Sequence, residues 1–339
     1  MRTRTKAGIV ILAAVLSLLA GAGIGSVSVS PADICRVLAN RLFGSPLPEN
    51  FSSVTPGLVL NIRLPRVTLS FAAGAAAAMG GVVMQSVLKN PLASPYGLGV
   101  SSGAGLGAAL VIVSGLGAGA LGTLALPAVS LAFGLATVGA AIFLSSRLDH
   151  SLSNNTIILT GMVLSLFTNA LMSTVSAANP EYSQRILLWQ LGSFSGRGWE
   201  ASAMVAAVAA VCLAGFLRLS PELDAMTFGE EQARALGVEL RRVKWVLIVL
   251  VAALTGTSVA FAGVIGFVDL IAPHVVRRFF GARHRLVLPM AALLGGAFMT
   301  VCDLAARTLA SPSEIPVGSI TALIGAPFFL YVYFSHRRR

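Results

Sequence analysis

Charged side chains are scarce in this sequence. Asp, Glu, Lys and Arg make up 11% of its 339 residues, whereas soluble domains carry about 25%. Hydrophobic residues make up 56%, and the mean hydropathy is +0.84. No polar stretch is long enough to form a separate soluble domain. We therefore predict that residues 1–339 form a single all-α membrane domain, since long apolar runs cross a bilayer as helices.

Lysine is rarer still, and its positions exclude one energy source. The three lysines are Lys6, Lys89 and Lys244, and none of them follows a glycine. A phosphate-binding loop needs Gly-Lys followed by Ser or Thr. The chain therefore has no such loop for ATP.

Groups suited to proton transfer, catalysis or metal binding are also few. Asp269 and Asp303 are the only acidic residues near apolar runs, and both lie at run ends. Proton-driven transporters usually have ionisable groups at membrane depth, so the sequence disfavours a proton-driven secondary transporter without excluding it. The four histidines have no paired acid, and the three cysteines lack metal-ligand spacing. We predict neither an enzyme nor a metal site.

Apolar runs dominate the chain, and most approach the ~20 residues that a spanning helix needs. The first run resembles a signal peptide, but it is long enough to span, so we favour an uncleaved helix. The eighth is short and contains Pro273, so we expect it to lie half-buried against its neighbours. The predicted spans lie near residues 8–29, 58–87, 97–114, 121–144, 156–178, 201–217, 245–267, 270–280, 286–306 and 316–335.

The distribution of basic residues sets the predicted orientation. If both termini are cytoplasmic, 17 of the 24 basic residues lie on that side, in agreement with the positive-inside rule. The net charge of +11 then belongs to loops and not to a nucleic-acid-binding face. Runs of small residues such as Ala72–Ala78 predict surfaces where helices pack closely.

Two loops are longer and more polar than the rest. Residues 218–244 contain signals for two short helices, one ending at Phe228-Gly229 and one covering Glu230–Leu236. On the cytoplasmic side, this segment is either a solvated connector or a docking surface for a soluble partner. The other loop, residues 179–200, is predicted to be external, and its two tryptophans fit an interfacial aromatic belt.

Several motifs follow one another between residues 58 and 330. One is Gln85-Ser-Val-Leu-Lys-Asn-Pro-Leu-Ala-Ser-Pro-Tyr-Gly-Leu-Gly-Val-Ser-Ser-Gly-Ala104, which covers the loop between the second and third spans. The others are Asn61-Ile-Arg-Leu-Pro-Arg66, Trp189-Gln-Leu-Gly-Ser-Phe-Ser-Gly196, Gly229-Glu-Glu-Gln-Ala-Arg-Ala-Leu-Gly237, Gly263-Val-Ile-Gly-Phe-Val-Asp-Leu-Ile-Ala-Pro-His274, Asp303-Leu-Ala-Ala-Arg307 and Glu314-Ile-Pro-Val-Gly-Ser-Ile-Thr-Ala-Leu-Ile-Gly-Ala-Pro327. Together they resemble the FecCD-type permeases, which serve ABC importers of iron–siderophore complexes, haem and cobalamin.

The resemblance implies a type II ABC importer permease of about ten helices in the cytoplasmic membrane of a bacterium or archaeon. It also implies three kinds of partner: a second permease subunit in a homodimer or heterodimer, two ATPase subunits, and an extracytoplasmic substrate-binding protein. ATP and Mg²⁺ would be bound by the ATPase subunits, so we expect no cofactor in this chain. An iron–siderophore chelate is the favoured cargo, with haem or cobalamin as the alternative within the same mechanism.

Three arginines match positions where the family docks its binding protein. They are Arg63, Arg66 and Arg307. The resemblance implies that they receive acidic residues of the binding protein, and the planar guanidinium suits paired contacts with carboxylates. The alternative is that these juxtamembrane arginines extend to lipid headgroups.

Two pairs of residues match the cytoplasmic gate of the family. Asn90 and Leu92 match a position that narrows the pathway, although Asn90 with the following proline also favours a simple turn. Asn154 and Asn155 lie where a second constriction is implied, and either could instead cap the fifth span.

One face of the fifth span carries small and polar residues at helical spacing. Such a face suits the wall of an aqueous pathway, with a facing wall on the tenth span. Helix packing, with hydroxyl groups bonded to backbone carbonyls, is the alternative. The predicted pathway residues are Gly161, Ser165, Thr168 and Met172 on the fifth span, and Ser319, Ala322 and Ala326 on the tenth.

The cytoplasmic loop is the predicted ATPase contact, since a short helix can rest in a groove of a partner. Asp269 departs from the family pattern, which often has a small residue there. We expect its carboxylate to contact Arg277 or the N-terminus of a neighbouring helix. The predicted coupling residues are Gly229, Glu230, Ala233, Arg234, Leu236 and Gly237.

Overall fold

The computed structural model describes residues 3–25, 27–48, 51–116, 122–149 and 153–337. Within these ranges the chain is helical and has no strand, which confirms the all-α fold class. The helices are α1 (Thr3–Gly23), α2 (Pro31–Phe43), α3 (Val54–Val87), α4 (Val100–Ser114), α5 (Ala125–Leu148), α6 (Asn154–Ala178), α7 (Pro180–Gln190), α8 (Trp199–Arg218), α9 (Ser220–Phe228), α10 (Glu230–Ala235), α11 (Leu240–Ala262), α12 (Val268–Phe280), α13 (His284–Thr308) and α14 (Val317–Arg337).

Seven of the described helices are long and apolar enough to cross a membrane, namely α1, α3, α5, α6, α8, α11 and α13. Helix α4 and the apolar part of α14 are shorter, and α12 has 13 residues. Each of these ten helices overlaps one predicted span, while the number of crossings stays a prediction. The largest differences are at α1, which ends at Gly23 and not near 29, and at α11, which ends at Ala262 and not near 267.

Two helices lie in loops where the sequence analysis predicted none. Helix α2 begins after Ser30, whose hydroxyl accepts a hydrogen bond from the Asp33 N–H, and it ends at Gly44 with φ of 68°. Helix α7 begins with Pro180. A Ser cap, an early proline and a terminal glycine are ordinary helix signals. A search for long apolar runs passes over them because these helices are short and mixed in polarity.

Helix α3 is the central element of the fold. It is buried along nearly all of its length after Leu64 and packs against α8, α11, α12 and α13. Its contact with α13 is especially close, since a Cβ atom at Gly74 would lie 2.3 Å from the carbonyl oxygen of Gly295. Only small residues permit two helix backbones to approach so closely. The predicted packing role of the run Ala72–Ala78 is therefore confirmed.

A π-helical turn interrupts α3 at Leu58–Arg63. In the π pattern the N–H of residue 65 would bond the carbonyl of Leu60, but Pro65 has no N–H to donate. The indole Nε1 of Trp199 supplies the missing donor and lies 2.7 Å from the Leu60 oxygen. This tryptophan at the start of α8 thus holds the turn that directs Arg63 into the protein.

Helix α12 lies half-buried against the C-terminal half of α3, as predicted for the short eighth segment. Its buried residues include Asp269 and Pro273. The backbone of Asp269 lies directly on Gly81, where a Cβ atom would be 1.9 Å from the Asp269 carbonyl oxygen. The Gln85 side-chain amide donates to the same oxygen at 3.1 Å. The start of α12 therefore takes its position from α3.

Candidate docking, gating and coupling sites

The structure brings the three predicted docking arginines together, where the N-terminal part of α3 meets the C-terminal end of α13, but it buries their side chains. Arg63 is 3% exposed and donates to the carbonyl oxygens of Ala22 at 3.0 Å, Gly23 at 2.8 Å and Val27. Arg307 donates to the carbonyl oxygen of Gly21. Both guanidinium groups therefore satisfy carbonyls at the C-terminal end of α1, where a helix leaves them unpaired and where its dipole favours cations.

Arg66 is neutralised by acidic residues of its own chain. It is 7% exposed and donates to Asp303 at 2.8 and 3.0 Å and to Glu314 at 2.7 and 3.1 Å. Arg307 lies 3.7 Å from the same aspartate. In this conformation a carboxylate from a docking protein would have to compete with Asp303 and Glu314. The docking role of the three arginines therefore stays a prediction, and their burial does not favour it.

Glu314 was not singled out from the sequence, although it begins the last of the family motifs. It lies in the loop between α13 and α14, partly exposed. The Arg66 guanidinium, which donates hydrogen bonds to this carboxylate, holds the pKa of Glu314 below its ordinary value. The outer cluster, defined as Arg63, Arg66, Asp303, Arg307 and Glu314, therefore fastens this loop to α3.

At the first predicted gate the structure shows the turn that the sequence also allowed. The side-chain oxygen of Asn90 accepts a hydrogen bond from the Leu92 N–H at 2.9 Å, and Lys89 has a φ of 50°. The Leu92 side chain is exposed. A turn and a gate are compatible at this position, so the gating role stays a prediction.

At the second predicted gate neither asparagine is the helix cap. Ser153 is the N-cap of α6, and its hydroxyl accepts from the Thr156 N–H at 3.4 Å. Asn154 is the first residue of α6 and accepts a hydrogen bond from Lys244 at 3.0 Å, while the Asn155 side chain is exposed. The cap alternative is therefore wrong for Asn154, because a lysine from another helix uses its side-chain oxygen.

The predicted pathway face of α6 packs within the chain. A Cβ atom at Gly161 would lie 2.7 Å from the Gly97 carbonyl oxygen, and the Met172 sulfur lies against Gly105 of α4. The hydroxyl groups of Ser165 and Thr168 donate to carbonyls one turn earlier, both at 2.8 Å. This arrangement favours the helix-packing alternative for the four residues. Their pathway role stays a prediction.

Other faces of α6 and α14 are open and apolar. On α6, Met162 and Leu166 are exposed, and on α14 Leu323 is exposed. Of the predicted facing wall, Ala326 is exposed, whereas Ser319 and Ala322 are partly buried. These surfaces are available to lipid or to a second subunit.

The coupling segment, residues 218–244, forms the two short helices predicted for it, α9 and α10. They are separated by Gly229, with φ of 137°, and α10 is followed by Gly237, with φ of 84°. Ala233 is buried, whereas Arg234 and Leu236 are exposed, Leu236 by 71%. A groove of about 790 Å³ runs beside Leu236 and is also lined by Glu222, Glu239 and Arg242. An exposed leucine beside a charged groove is a surface that a soluble partner can hold.

Asp269 does not pair with Arg277. Its carboxylate accepts a hydrogen bond from the Ser94 hydroxyl and lies in the first turn of its own helix α12. Arg277 instead donates to the carbonyl oxygen of Val82 at 3.0 Å and to Gln85. The expected contact with Arg277 is therefore wrong, and the helix N-terminus beside Asp269 is that of α12 itself.

Comparison with known proteins identifies the family. The FecCD transport family matches residues 10–335. An uncharacterized ABC transporter permease of Bacillus subtilis is 39% identical, over 95% of this chain and 91% of that protein. A hemin transport system permease of Yersinia pestis is 36% identical, over 83% and 84% of the two chains. The solved structure of a transporter assigned to the metal-chelate type, in an inward-facing conformation, is 31% identical with a TM-score of 0.85, covering 98% of this chain and 99% of that one. This membrane protein is therefore a permease of the FecCD transport family, with the type II ABC importer permease fold.

Proposed function

We propose that this permease conducts an iron chelate, an iron–siderophore complex first, through the cytoplasmic membrane as part of an ATP-driven importer with both termini in the cytoplasm. The observation that carries the proposal is the coupling segment. It presents two short helices and an exposed leucine beside a groove, in a chain whose lysines form no phosphate-binding loop. Such a chain needs an ATPase partner, and this surface suits one.

The other partners follow from open surfaces and charge. The apolar faces of α6 and α14 suit a second permease subunit, so that the pathway lies between two chains. The outer cluster keeps three arginines beside two acidic residues, an excess of positive charge that attracts an acidic binding protein. Docking would then exchange the carboxylate of the partly exposed Glu314 for one of the binding protein.

Haem is the second cargo to test, because a relative at 36% identity is a hemin transport permease. The predicted pathway residues carry no charge, so they hold no fixed ion for one particular cargo. We expect a bulky chelate to pass with weak contacts.

The test starts from the tagged permease purified from its native membrane in mild detergent. We expect an ATPase subunit to co-purify. The complex is then reconstituted in liposomes with its binding protein, and uptake of a ferric hydroxamate siderophore, hemin and cobalamin is measured with and without ATP. ATP-dependent uptake of the ferric chelate supports the proposal, and preferential uptake of hemin assigns the second cargo. Uptake by the permease alone, driven by an ion gradient, contradicts an ATP-driven importer.

A further inference from the structure

Lys244 is a buried lysine that joins the coupling segment to the second predicted gate. It is 1% exposed, and it lies in the second turn of α11. Its ammonium donates to the Glu230 carboxylate at 2.9 Å and to the Asn154 side-chain oxygen at 3.0 Å. Glu230 is the first residue of α10, and Asn154 is the first residue of α6. One ammonium therefore holds the start of the short cytoplasmic helix against the start of a long helix.

This contact is difficult to break by small displacements. A buried ammonium is strongly destabilising unless it is paired and hydrogen-bonded. If Glu230 moved with α10 while Asn154 stayed in place, Lys244, which is 1% exposed, would lose one of its acceptors. The lower free energy is reached when α10 and the start of α6 move together.

A second buried contact joins the other short helix to the first predicted gate. His284, the first residue of α13, is 1% exposed. Its Nδ1 lies 2.6 Å from Asp224 of α9, and its Nε2 lies 2.7 Å from the Ser86 hydroxyl. The backbone N–H of His284 also donates to Asp224 at 2.9 Å. Ser86 is in the last turn of α3, four residues before Asn90.

Each helix of the coupling segment is thus tied to one of the two segments where a gate is predicted. Neither Lys244 nor His284 lines the groove beside Leu236, and each is buried where a short helix of the segment meets a long helix. We propose that Lys244 and His284 are positioning residues that transmit displacement of the coupling segment to the two places where a gate is predicted. Lys244 acts on the start of α6, and His284 acts on the last turn of α3, just before Asn90. This inference rests on the proposed ATP-driven import.

An ion pair outside the coupling segment provides the control. Arg36 lies 2.9 Å from Asp33 in α2, and the Arg36 side chain is 56% exposed. These residues are three positions apart in one helix, so their pair joins no separate elements. Removing it changes a surface charge without cutting either contact, and neither residue lines the groove beside Leu236.

The experiment compares cargo transported per ATP hydrolysed by purified, assembled complexes in liposomes, with the ferric hydroxamate chelate as the probe. We expect Lys244→Met to lower this ratio about tenfold, within the usual range of coupling between sites. ATP hydrolysis should change little. His284→Gln should lower the ratio similarly, whereas Lys244→Arg, which keeps the charge and its donors, should retain most of it. Arg36→Gln should behave as the wild type.

A double-mutant comparison separates transmission from a merely structural role. Glu230→Ala and Asn154→Ala each remove one of the two acceptors that Lys244 joins, so their combined effect on the ratio should be smaller than the sum of the two. Additive effects, or an unchanged ratio in assembled Lys244→Met complexes, would overturn the inference. If Lys244→Met complexes do not assemble, the double-mutant comparison decides. A wild-type complex without ATP-dependent uptake would instead contradict the proposed function.

Discussion

Arg66 shows how a residue that matches a docking position can be part of the protein interior. Its guanidinium pairs with Asp303, which is 0% exposed. We expect Arg66→Met to destabilise the protein by about 3 kcal/mol, because removing one partner leaves a buried charge poorly compensated. Arg307, 3.7 Å from Asp303, keeps the loss from being larger. The loss is read from thermal unfolding of the purified permease in detergent.

The exposed pair of Arg36 and Asp33 in α2 is the control for this prediction. Their nitrogen and oxygen lie 2.9 Å apart at the surface. Arg36→Met should therefore lower the free energy of unfolding by less than about 1 kcal/mol. If Arg66→Met unfolds at the wild-type temperature and affects only the binding protein, Arg66 is a docking residue and its pairing in this structure contributes little.

Glu314 makes the outer cluster sensitive to acid. Because Arg66 lowers the pKa of this carboxyl in the folded protein, its contribution to stability is present above the unfolded pKa. The contribution is lost as the pH falls through the folded value. We expect the unfolding temperature of the wild type to fall, as the pH drops from about 5 to about 3, more steeply than that of Glu314→Gln. Parallel profiles for the two proteins would show that this carboxylate is not stabilised by Arg66.

Among the elements, the π-helical turn of α3 depends on one distant side chain. Trp199→Phe keeps an aromatic ring but removes the donor to the Leu60 carbonyl. We expect the free energy of unfolding to fall by about 1 kcal/mol, the usual net contribution of a hydrogen bond. The Leu60 carbonyl lacks a backbone donor because residue 65 is a proline. The substitution Pro65→Ala restores this N–H, so it should reduce the loss of stability caused by Trp199→Phe. Equal costs in both backgrounds, measured by thermal unfolding, would show that the proline is not the reason for this contact.

The elements that could be predicted are those with a strong local signal. Among the described residues, long apolar runs located the seven helices long enough to span and the two shorter apolar ones, and Pro273 in a short run indicated the half-buried α12. Glycines at 229 and 237 delimited α10. Helix α2 was missed even though Ser30 and Gly44 mark its ends, because an apolar-run search ignores short mixed helices. Such helices are found by their caps.

At the scale of the whole molecule, the sequence predicted the right regions but not which residues meet. The small-residue run on α3 indicated close packing, yet its partner Gly295 is more than 200 residues away. Likewise, the polar face of α6 was compatible with a pathway or with packing. Its contact with α4, which the sequence does not show, is what favours packing. Lys244 could have been noticed as one of three lysines beside an apolar run. Its partners Glu230 and Asn154 become neighbours only when the chain is folded.

The orientation of the whole molecule can be tested with a native cysteine. Cys35 lies exposed on α2, whereas Cys212 and Cys302 are buried. If the N-terminus is cytoplasmic, as the basic residues predict, α2 follows the first span and is external. We expect a membrane-impermeant maleimide to label the protein in right-side-out vesicles, and Cys35→Ser to abolish the labelling. With a cytoplasmic N-terminus, the coupling segment is also on the cytoplasmic side, which is turned outward in inverted vesicles. In a Cys35→Ser background, Leu236→Cys should therefore react only in inverted vesicles. Labelling of Cys35 only in inverted vesicles would reverse the orientation and place the coupling segment outside, where no ATPase could reach it.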